Sequence, residues 1–375
     1  MATAEVLGQQ IPIRFDSGEV AGALGDSITV LPLVVALGAL TDASLGLVLL
    51  GFAVFQAVWG LHYGLPMSVE PMKALAGLAI AGTLGYGELV AAGLLAGGVL
   101  LVAGTTGLVG RVAALVGRPV VRGVQFAVAL LLLAAGVELA AGAPVVAAGG
   151  VVVAAGAALV DRRAPAPAVL LAGTLAALYA VGGAPTVALP TFPGSLAALP
   201  EPHLTPGALT GLAGQLAMTV GNAAVATALL VDDLYARDVS PDGLARSMGV
   251  TNLVAVPLGG VPMCHGSGGL AGKHAFGART AGANLVLAAL YAGAALVAGL
   301  WSGFPMAALG VLLVLVAVHL GRVALESVAT PAEGAVVVGT GVVALAANVG
   351  VAFLLAAVGH AGYERLRARG AAAEA

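Results

Sequence analysis

The sequence predicts an all-α protein that crosses a lipid bilayer many times. Apolar residues make up 60% of the 375 residues, charged residues only 9%, and the mean hydropathy is +1.06. A soluble chain carries about 25% charged residues. At roughly 20 apolar residues per crossing, the chain can hold about 11 to 14 membrane segments. Its 56 glycines and 19 prolines are typical of the closely packed and locally broken helices of transporters and channels.

The composition also excludes several classes of function. A formal net charge of −3 is too small to indicate nucleic acid or another strongly charged partner. The single cysteine, Cys264, rules out an intramolecular disulfide and a metal site built from several cysteines. The sequence shows no evident pairing of a nucleophile with a base. We therefore expect neither an enzyme nor a bound metal or cofactor.

The distribution of apolar residues predicts two membrane-embedded halves. Residues 1–17 are polar and are expected at the membrane surface, and a first membrane repeat follows over residues 18–184. Six prolines in residues 185–206 prevent a regular helix, because each one removes a hydrogen-bond donor and fixes its own backbone. This segment is therefore predicted to be a linker. The second membrane repeat covers residues 207–360.

The segment 361–375 is predicted to be a cytoplasmic tail. It carries Arg365, Arg367 and Arg369, and basic residues next to membrane spans are enriched on the cytoplasmic side. We expect an integral protein of a bacterial inner membrane, with the lipid bilayer as its main surroundings.

An internal repeat relates the two halves at a constant offset of 196 residues. The matches pair Glu19 with Gln215, Asp26 with Asn222, Gln56 with Asn252, and Gly64, Pro66 and Met67 with Gly260, Pro262 and Met263. A Pro-Met match is improbable by chance in a chain with only 19 prolines and 7 methionines. Duplicated halves that are broken by proline and glycine at corresponding positions are typical of secondary transporters.

The corresponding segments GLPMSVEPMKALAG and GVPMCHGSGGLAGKHAFG each predict a half-helix that begins partway across the membrane. Pro66 and Pro71 interrupt the first segment, and Pro71 fits the first turn of a half-helix over residues 71–81. In the second segment, Ser267 is predicted to cap a short helix that begins near Gly268. Each helix start exposes unpaired amide donors and the positive end of a helix dipole.

If the halves are related by inversion, the two helix starts face each other near the middle of the membrane. Backbone donors and hydroxyl groups in that position suit a small, compact anion. Lys73 lies in the first turn and can add a full positive charge. The alternative is that proline and glycine only kink two packed helices while Lys73 reaches the membrane interface.

Four further ionisable residues are predicted inside the membrane, where charged groups are costly and usually line a polar pathway. These candidates for a residue that couples transport to an ion are Glu19, Asp26, Glu70 and His265. For Asp26 and Asn222, bracing of the broken helices is an alternative to contact with a ligand. Glu70 either neutralises Lys73 or carries a coupled proton.

Three strings resemble a known family: GALGDSITVLP, YGLPMSVEPMKALAG and SMGVTNLVAVPLGGVPMCHGSGGLAGKHAFGART. They resemble the molybdate transporter family of plants, algae and bacteria, a relative of the sulfate permeases, and the resemblance covers most of both halves. It implies two inverted repeats of about 6–7 membrane segments each, with broken half-helices that meet at the midplane and a core domain that moves against a gate domain. It also implies uptake of tetrahedral molybdate, with tungstate or sulfate as competitors.

The substrate-binding residues that the resemblance implies come from four regions of the chain. They are Asp26, Met67, Ser68, Glu70, Pro71, Met72, Lys73, Asn222, Cys264, His265, Gly266, Ser267, Gly268 and Gly269. The family often has glutamine where Glu70 stands, and Gly-Asp-Leu-Gly where this chain has residues 25–28. A carboxylate at Glu70 opposes anion binding unless it is protonated or paired, which leaves the coupling ion and the preferred anion open.

Several alternatives keep the fold and change the function. In the first alternative the substrate is sulfate. In the second it is a nucleobase, as in the uracil and xanthine permeases, whose carboxylates hold a flat heterocycle. In the third the protein is an anion channel. A doubly charged anion in a dry pocket disfavours an ionised neighbour, so Glu70 is predicted to take up a proton when the anion binds. A homodimer is among the assemblies left open.

Overall fold

The computed structural model describes residues 2–6, 9–111, 117–192 and 200–374. Its first elements are the strands β1 (Ala2–Val6) and β2 (Gln9–Ile13), which form an antiparallel hairpin. Ile11 and Ile13 pack against the buried Ala281. The segment that the sequence predicts to be a polar surface segment is therefore anchored to the second half of the chain by two apolar side chains.

The first half continues with helices and one short strand. They are α1 (Ser17–Leu40), α2 (Leu45–Tyr63), β3 (Val69–Pro71), α3 (Lys73–Ile80), α4 (Tyr86–Thr106), α5 (Arg118–Ala141), α6 (Pro144–Val160) and α7 (Pro165–Val181). Asp16 caps α1 by accepting hydrogen bonds from the backbone of Gly18 and Glu19. Prolines occupy the first turns of α5, α6 and α7, where a missing amide proton costs nothing.

The second half repeats this order of elements. They are α8 (Pro206–Met218), a π-helical segment (Thr219–Ala226), α9 (Thr227–Tyr235), α10 (Pro241–Ala255), β4 (Met263–His265), α11 (Ser267–Ala275), α12 (Gly282–Leu296), a 3-10 segment (Ala298–Gly303), α13 (Met306–Glu326), α14 (Pro331–Ala346) and α15 (Val349–Glu374). The offset of 196 maps the first residues of α2 and α4, Leu45 and Tyr86, onto Pro241 and Gly282, which begin α10 and α12.

The two halves interlock. Helix α2 packs against α12 and α4 packs against α10, so each pair joins one half to the other at exchanged positions. Helix α5 packs against α13, and β3 pairs with β4 in antiparallel orientation. Two copies related by a two-fold axis in the membrane plane produce this pattern of exchanged and self-paired elements. The predicted all-α membrane fold with inverted repeats is confirmed.

The helices form two packed groups. The first group, called the core here, contains α1–α4 and α8–α12, and the second, called the gate, contains α5–α7 and α13–α15. The groups touch where α3 and α8 meet α5, where α8 meets α15 and where α1 meets α7 and α13. Both β strands of the central pair belong to the core, so the half-helices are held by one group and face the other.

Among the described residues, five helices are long and apolar enough to cross a membrane, and α1 adds a sixth if its two bent segments count as one span. Five shorter apolar helices are α6, α7, α12, α14 and the first part of α15. Large apolar side chains on α6 and α7 point outward, such as Leu159 and Leu171, as expected of surfaces that contact lipid. The number of crossings stays a prediction.

The predicted linker and tail have simple local structures. Residues 185–192 and 200–205 are not helical, in agreement with the proline-rich composition, and residues 193–199 lie outside the described residues. Helix α15 continues to Glu374, so the backbone of the predicted tail is helical as far as that residue. The residue bounds of the two repeats stay predictions.

Candidate functional site

The two broken segments meet at a short two-stranded ribbon. Strands β3 and β4 pair with Val69 opposite His265 and with Pro71 opposite Met263. All residues of both strands are buried. Helix α3 follows β3 after one residue and α11 follows β4 after one residue. The starts of both half-helices therefore lie at the ribbon, as the sequence predicts.

The start of α3 differs from the prediction. Pro71 is the last residue of β3, not part of the first helical turn, and α3 begins at Lys73. The backbone N–H of Met72 donates to the carbonyl of Pro262 at 2.8 Å, so this residue still belongs to the strand pairing. Helix α3 therefore begins at the residue after the one that makes this hydrogen bond.

The start of α11 differs from the prediction as well. The helix begins at Ser267, and Gly266 occupies the N-cap position. The hydroxyl of Ser267 donates to Asn222 Oδ1 at 2.7 Å, so it does not cap the helix. The predicted capping role of Ser267 is wrong, and the side chain instead joins α11 to the π-helical segment that carries Asn222.

Three amide donors at the two helix starts already have side-chain partners, which differs from the prediction of unpaired donors. Gln215 Oε1 accepts hydrogen bonds from the backbone of Ala74 at 2.9 Å and of Leu75 at 3.4 Å. At the other start, Glu70 Oε1 accepts a hydrogen bond from the backbone of Gly269 at 3.1 Å. Two side chains of the protein thus satisfy donors that the sequence assigns to an anion.

The carboxylate of Glu70 lies at the centre of these contacts. One oxygen accepts from the Gly269 amide and lies 3.1 Å from the Ser68 hydroxyl, whose single proton is shared with Asp26 Oδ1 at 2.9 Å, and the other oxygen forms an ion pair with Lys73. The Glu70 side chain is 1% exposed, whereas the Lys73 side chain is 14% exposed. The ion pair is one of the two predicted roles of Glu70, and it keeps the net charge of this position at zero.

A second ion pair lies beside the first and is fully buried. Lys273 Nζ is 3.1 Å from Asp26 Oδ2, and neither side chain is exposed. The ammonium also donates to Gln56 Oε1 at 3.1 Å, to the Met67 carbonyl at 3.1 Å and to Asn284 Oδ1 at 2.9 Å. These contacts favour the bracing role of Asp26, and its contact with a ligand stays a prediction.

Sequence reasoning missed Lys273, although the sequence holds a signal for it. Lys73 and Lys273 are the only two lysines of the chain, and each lies in one of the half-helices. Lysine is rare inside membranes because its charge is costly there. The repeat comparison does not point to Lys273, because the offset of 196 pairs it with Gly77 and gives no polar match.

Two repeat-related amides hold the ribbon in place. Gln56 Nε2 donates to the Val69 carbonyl at 3.0 Å. Asn252 pairs with the backbone of Met263 through both its amide nitrogen and its oxygen, each at 2.8 Å. These contacts fix one face of each strand, so Gln56 and Asn252 support the ribbon.

His265 also has protein partners on both ring nitrogens. Its Nδ1 lies 3.0 Å from the Ser68 carbonyl and its Nε2 lies 2.7 Å from Ser247 Oγ. Because a carbonyl only accepts, Nδ1 carries a proton. Within the described residues, no group of three His, Cys, Asp or Glu side chains is placed to hold a metal ion.

Glu19, another predicted coupling candidate, holds the start of α12. Its carboxylate accepts hydrogen bonds from the backbone of Arg279 at 3.1 Å, Thr280 at 2.9 Å and Ala283 at 3.1 Å, and from the Thr280 hydroxyl at 2.8 Å. A carboxylate with four donors is well satisfied as an anion. The structure thus gives Glu19 a capping role.

The predicted binding residues differ in their access to the space around α11. Met67, Met72 and Cys264 belong to the buried apolar core, and their contact with a ligand stays a prediction. Lys73 and Asn222 are half-buried and Gly268 is exposed. A Cβ atom added at Gly268 would meet no atom within 4 Å. The site therefore opens at Gly268, beside Lys73 and the Ser267–Asn222 pair.

A family model described as "Molybdate transporter of MFS superfamily" matches residues 18–132 and 207–320, which together include both half-helices. Molybdate transporter 1 of Arabidopsis thaliana is 28% identical over 405 residues, covering 93% of this chain and 88% of the relative. Molybdate transporter 2 of the same plant is 26% identical and covers 81% of this chain and 78% of the relative.

Solved anion transporters share the fold. The transmembrane domain of the cyanobacterial bicarbonate transporter BicA has a TM-score of 0.63 and 18% identity, covering 93% of this chain and all of that domain. Murine solute carrier 26 family member A9, in its inward-facing state, has a TM-score of 0.68 and 12% identity, covering 93% of this chain and 68% of that one. At these identities the similarity shows the fold alone.

Proposed function

The chain belongs to the molybdate transporter family, and from this premise we propose that it is a secondary-active transporter of the tetrahedral oxyanion molybdate. Because the members of this family are transporters, the expectation that the chain is not an enzyme is confirmed. The fold is that of an integral membrane protein. Both Arabidopsis thaliana relatives are molybdate transporters that align with most of the chain.

The observation that carries this proposal is the position of the Glu70 carboxylate. It lies against an ammonium group, a hydroxyl group and a backbone amide, from Lys73, Ser68 and Gly269. These are the donors that a small oxyanion requires. The protein therefore holds an oxygen anion at the start of α11, and that anion is its own side chain.

Molybdate binds, in this proposal, by replacing Glu70 at these donors. The anion enters at Gly268, where the surface is open, and reaches Lys73 and the amide of Gly269. The carboxylate of Glu70 must first lose its charge or leave these donors, because its negative charge and that of molybdate repel strongly at close range in a dry site. Proton uptake by Glu70 removes that repulsion, which makes the transport proton-coupled.

The geometry favours the oxyanion over a nucleobase. Nucleobase permeases hold a flat heterocycle with carboxylates, but both oxygens of Glu70 are already bonded to donors of the protein. Donors of fixed span also distinguish oxyanions by size, because a misplaced donor in a dry site is left unpaired. We therefore propose that molybdate and tungstate bind more tightly than sulfate.

Isothermal titration of the purified protein with molybdate, tungstate, sulfate and uracil tests the substrate. We expect dissociation constants for molybdate and tungstate that are lower than that for sulfate by about tenfold or more. Equal constants for sulfate and molybdate would show that the substrate assignment is wrong. Uptake into proteoliposomes that does not saturate with molybdate would indicate a channel.

The setting of the transporter is also proposed. The arginines at 365, 367 and 369 support a cytoplasmic C-terminus by the positive-inside rule. We place the protein in a bacterial inner membrane as a homodimer. Cross-linking of the protein in membranes and labelling of a C-terminal tag from each side test these assignments.

A further inference from the structure

A cavity lies at one membrane end of α2 and α10, and one of its lining residues, Ser247, contacts His265 of the ribbon. Its volume is about 490 Å³, and Trp59, Tyr63, Arg237, Ser240 and Arg246 are among the residues that line it. Arg237 and Ser240 belong to the loop that follows the candidate span Pro206–Tyr235. The cavity therefore lies where the chain leaves the membrane, at the level of lipid headgroups.

The charges of this cavity are not neutralised by the protein. Arg237, Arg246 and Asp238 line it, and all three are exposed. Within the described part of the chain, neither arginine has a hydrogen bond or an ion pair with another residue. Two guanidinium groups and one carboxylate leave the cavity with one net positive charge.

The aromatic wall of the cavity, by contrast, has its polar atoms satisfied. Trp59 Nε1 donates to Thr251 Oγ1 at 2.7 Å, and the Tyr63 hydroxyl donates to Ser247 Oγ at 2.9 Å. The two rings thus offer apolar surface to a ligand. The two arginines and Asp238 are the charged groups left to orient it.

Two apolar strips, one on α10 and one on α2, lead from the cavity toward the middle of the membrane. On α10, Arg246, Val250 and Val254 follow each other at four-residue spacing, so they share one face of the helix. On α2, Val54, Val58 and His62 do the same. The four valines are each 40% exposed or more, while Arg246 and His62 line the cavity. Each strip is therefore apolar at depth and polar at the membrane end.

We propose that this cavity binds the headgroup of a monoanionic phospholipid whose headgroup carries hydroxyl groups, such as phosphatidylglycerol. Arg237 and Arg246 hold the phosphodiester, as basic pockets between membrane helices do, and Asp238 accepts hydrogen bonds from the headgroup hydroxyls. A single net positive charge matches a phosphodiester of charge −1. The exposed valines of α2 and α10 receive the acyl chains, which favours a lipid over a soluble phosphate ester.

Native mass spectrometry and thermal unfolding of the purified full chain test this site. The ligands are palmitoyl-oleoyl phosphatidylglycerol, the corresponding phosphatidylcholine, and glycerol 3-phosphate as the soluble phosphate ester. Variants are Arg237→Gln, Arg246→Gln and the double variant, and Arg322→Gln is the matched control because Arg322 is an exposed arginine on α13. Unfolding in phosphatidylcholine alone shows whether each variant is folded.

We expect phosphatidylglycerol to bind and to raise the midpoint of unfolding, and each arginine substitution to weaken binding roughly fivefold. The control should bind like the wild type. Equal binding by the double variant and the control would overturn the site. Stabilisation by glycerol 3-phosphate that matches the lipid would overturn the assignment to a phospholipid, because the ligand would then be a soluble phosphate ester.

Discussion

Lys273 illustrates what a buried charge in a membrane protein requires of its neighbours. An ammonium group has three donors, and four acceptors surround this one, including the carboxylate of Asp26. A buried charge is tolerated only when it is paired and hydrogen-bonded. Lys73 differs, because its side chain is partly exposed and its partner is Glu70. Lys273 is thus fixed, whereas the partly exposed Lys73 is the one that our proposal lets exchange its partner for an anion.

Replacing Lys273 by methionine should destabilise the protein strongly. The change leaves the Asp26 carboxylate buried without its counter-charge, which typically costs about 3–5 kcal/mol. Thermal and denaturant unfolding in detergent measure the effect. The double variant Asp26→Asn with Lys273→Met should recover part of the loss, because both charges are then removed. A single variant as stable as the wild type would show that this ion pair does not support the core.

The hydroxyl of Ser267 is expected to contribute to anion affinity. In Ser267→Ala, Asn222 loses its 2.7 Å hydrogen bond and the site loses a hydroxyl at its opening. One such hydrogen bond contributes about 1 kcal/mol, so molybdate should bind several-fold more weakly in isothermal titration. Ser302→Ala, which removes an exposed hydroxyl bonded to Gly299, is the control. Equal affinities of the two variants would place the anion elsewhere.

At the scale of elements, the half-helices could be predicted from sequence, because their signals are local. Proline and glycine break the helical pattern near Pro66 and Pro262, and the offset of 196 places both breaks in register. The strands could not be predicted in this way. Each has three residues, which is too short for an alternating pattern, and it pairs with a segment in the other half of the chain.

The capping of the half-helices was beyond sequence reasoning for a related reason. Gln215 is 141 positions from Ala74, and Glu70 is 199 positions from Gly269. Propensity and spacing describe only what neighbouring residues can do. The predicted free donors follow from the helix starts alone, and only the packing of α8 and β3 shows which side chains reach them.

Neighbouring glycines at the start of α11 allow a matched test of the site. A Cβ atom at Gly269 would collide with Ser68 Oγ, Asp26 Oδ1 and Glu70 Oε1, whereas one at Gly268 would meet nothing within 4 Å. We expect Gly269→Ala to lower the midpoint of thermal unfolding and to abolish molybdate binding, because three polar groups must move. Gly268→Ala should fold like the wild type.

A larger side chain at position 268 tests access of the anion to the site separately from folding. Gly268→Phe should retain the stability of the wild type and lose molybdate binding, because the ring fills the opening through which the anion enters. Full binding by a folded Gly268→Phe variant would show that the opening at α11 is not the entry route.

At the scale of the whole molecule, few polar contacts join the two helix groups within the part of the chain that the structure describes. One contact places the guanidinium of Arg163, in the loop between α6 and α7, 4.7 Å from the ring centre of Phe276 at the end of α11. Both ion pairs of the site, in contrast, lie inside the core. If the core moves against the gate, as the family resemblance implies, both ion pairs move with it and the buried charges stay paired.

The charge of the moving core explains why Glu70 should couple the anion to a proton. With Glu70 ionised, its negative charge balances Lys73 and competes with the anion for the same donors. With Glu70 protonated, Lys73 and the Gly269 amide are free to bind the anion, and one negative charge of molybdate is neutralised. The loaded core then carries a smaller net charge through the membrane, where each charge is costly.

Glu70→Gln should therefore remove the pH dependence of anion binding without removing binding itself. In the wild type, molybdate should bind more tightly as the pH falls from neutral toward the acid range, because protonation removes a competing carboxylate. Glutamine keeps the shape of the protonated acid and no longer titrates, so its affinity should be high and nearly constant. Isothermal titration at several pH values measures both, with Glu326→Gln as the control for an exposed ion pair. If Glu70→Gln retains the full pH dependence of the wild type, Glu70 only neutralises Lys73, and another group couples the proton.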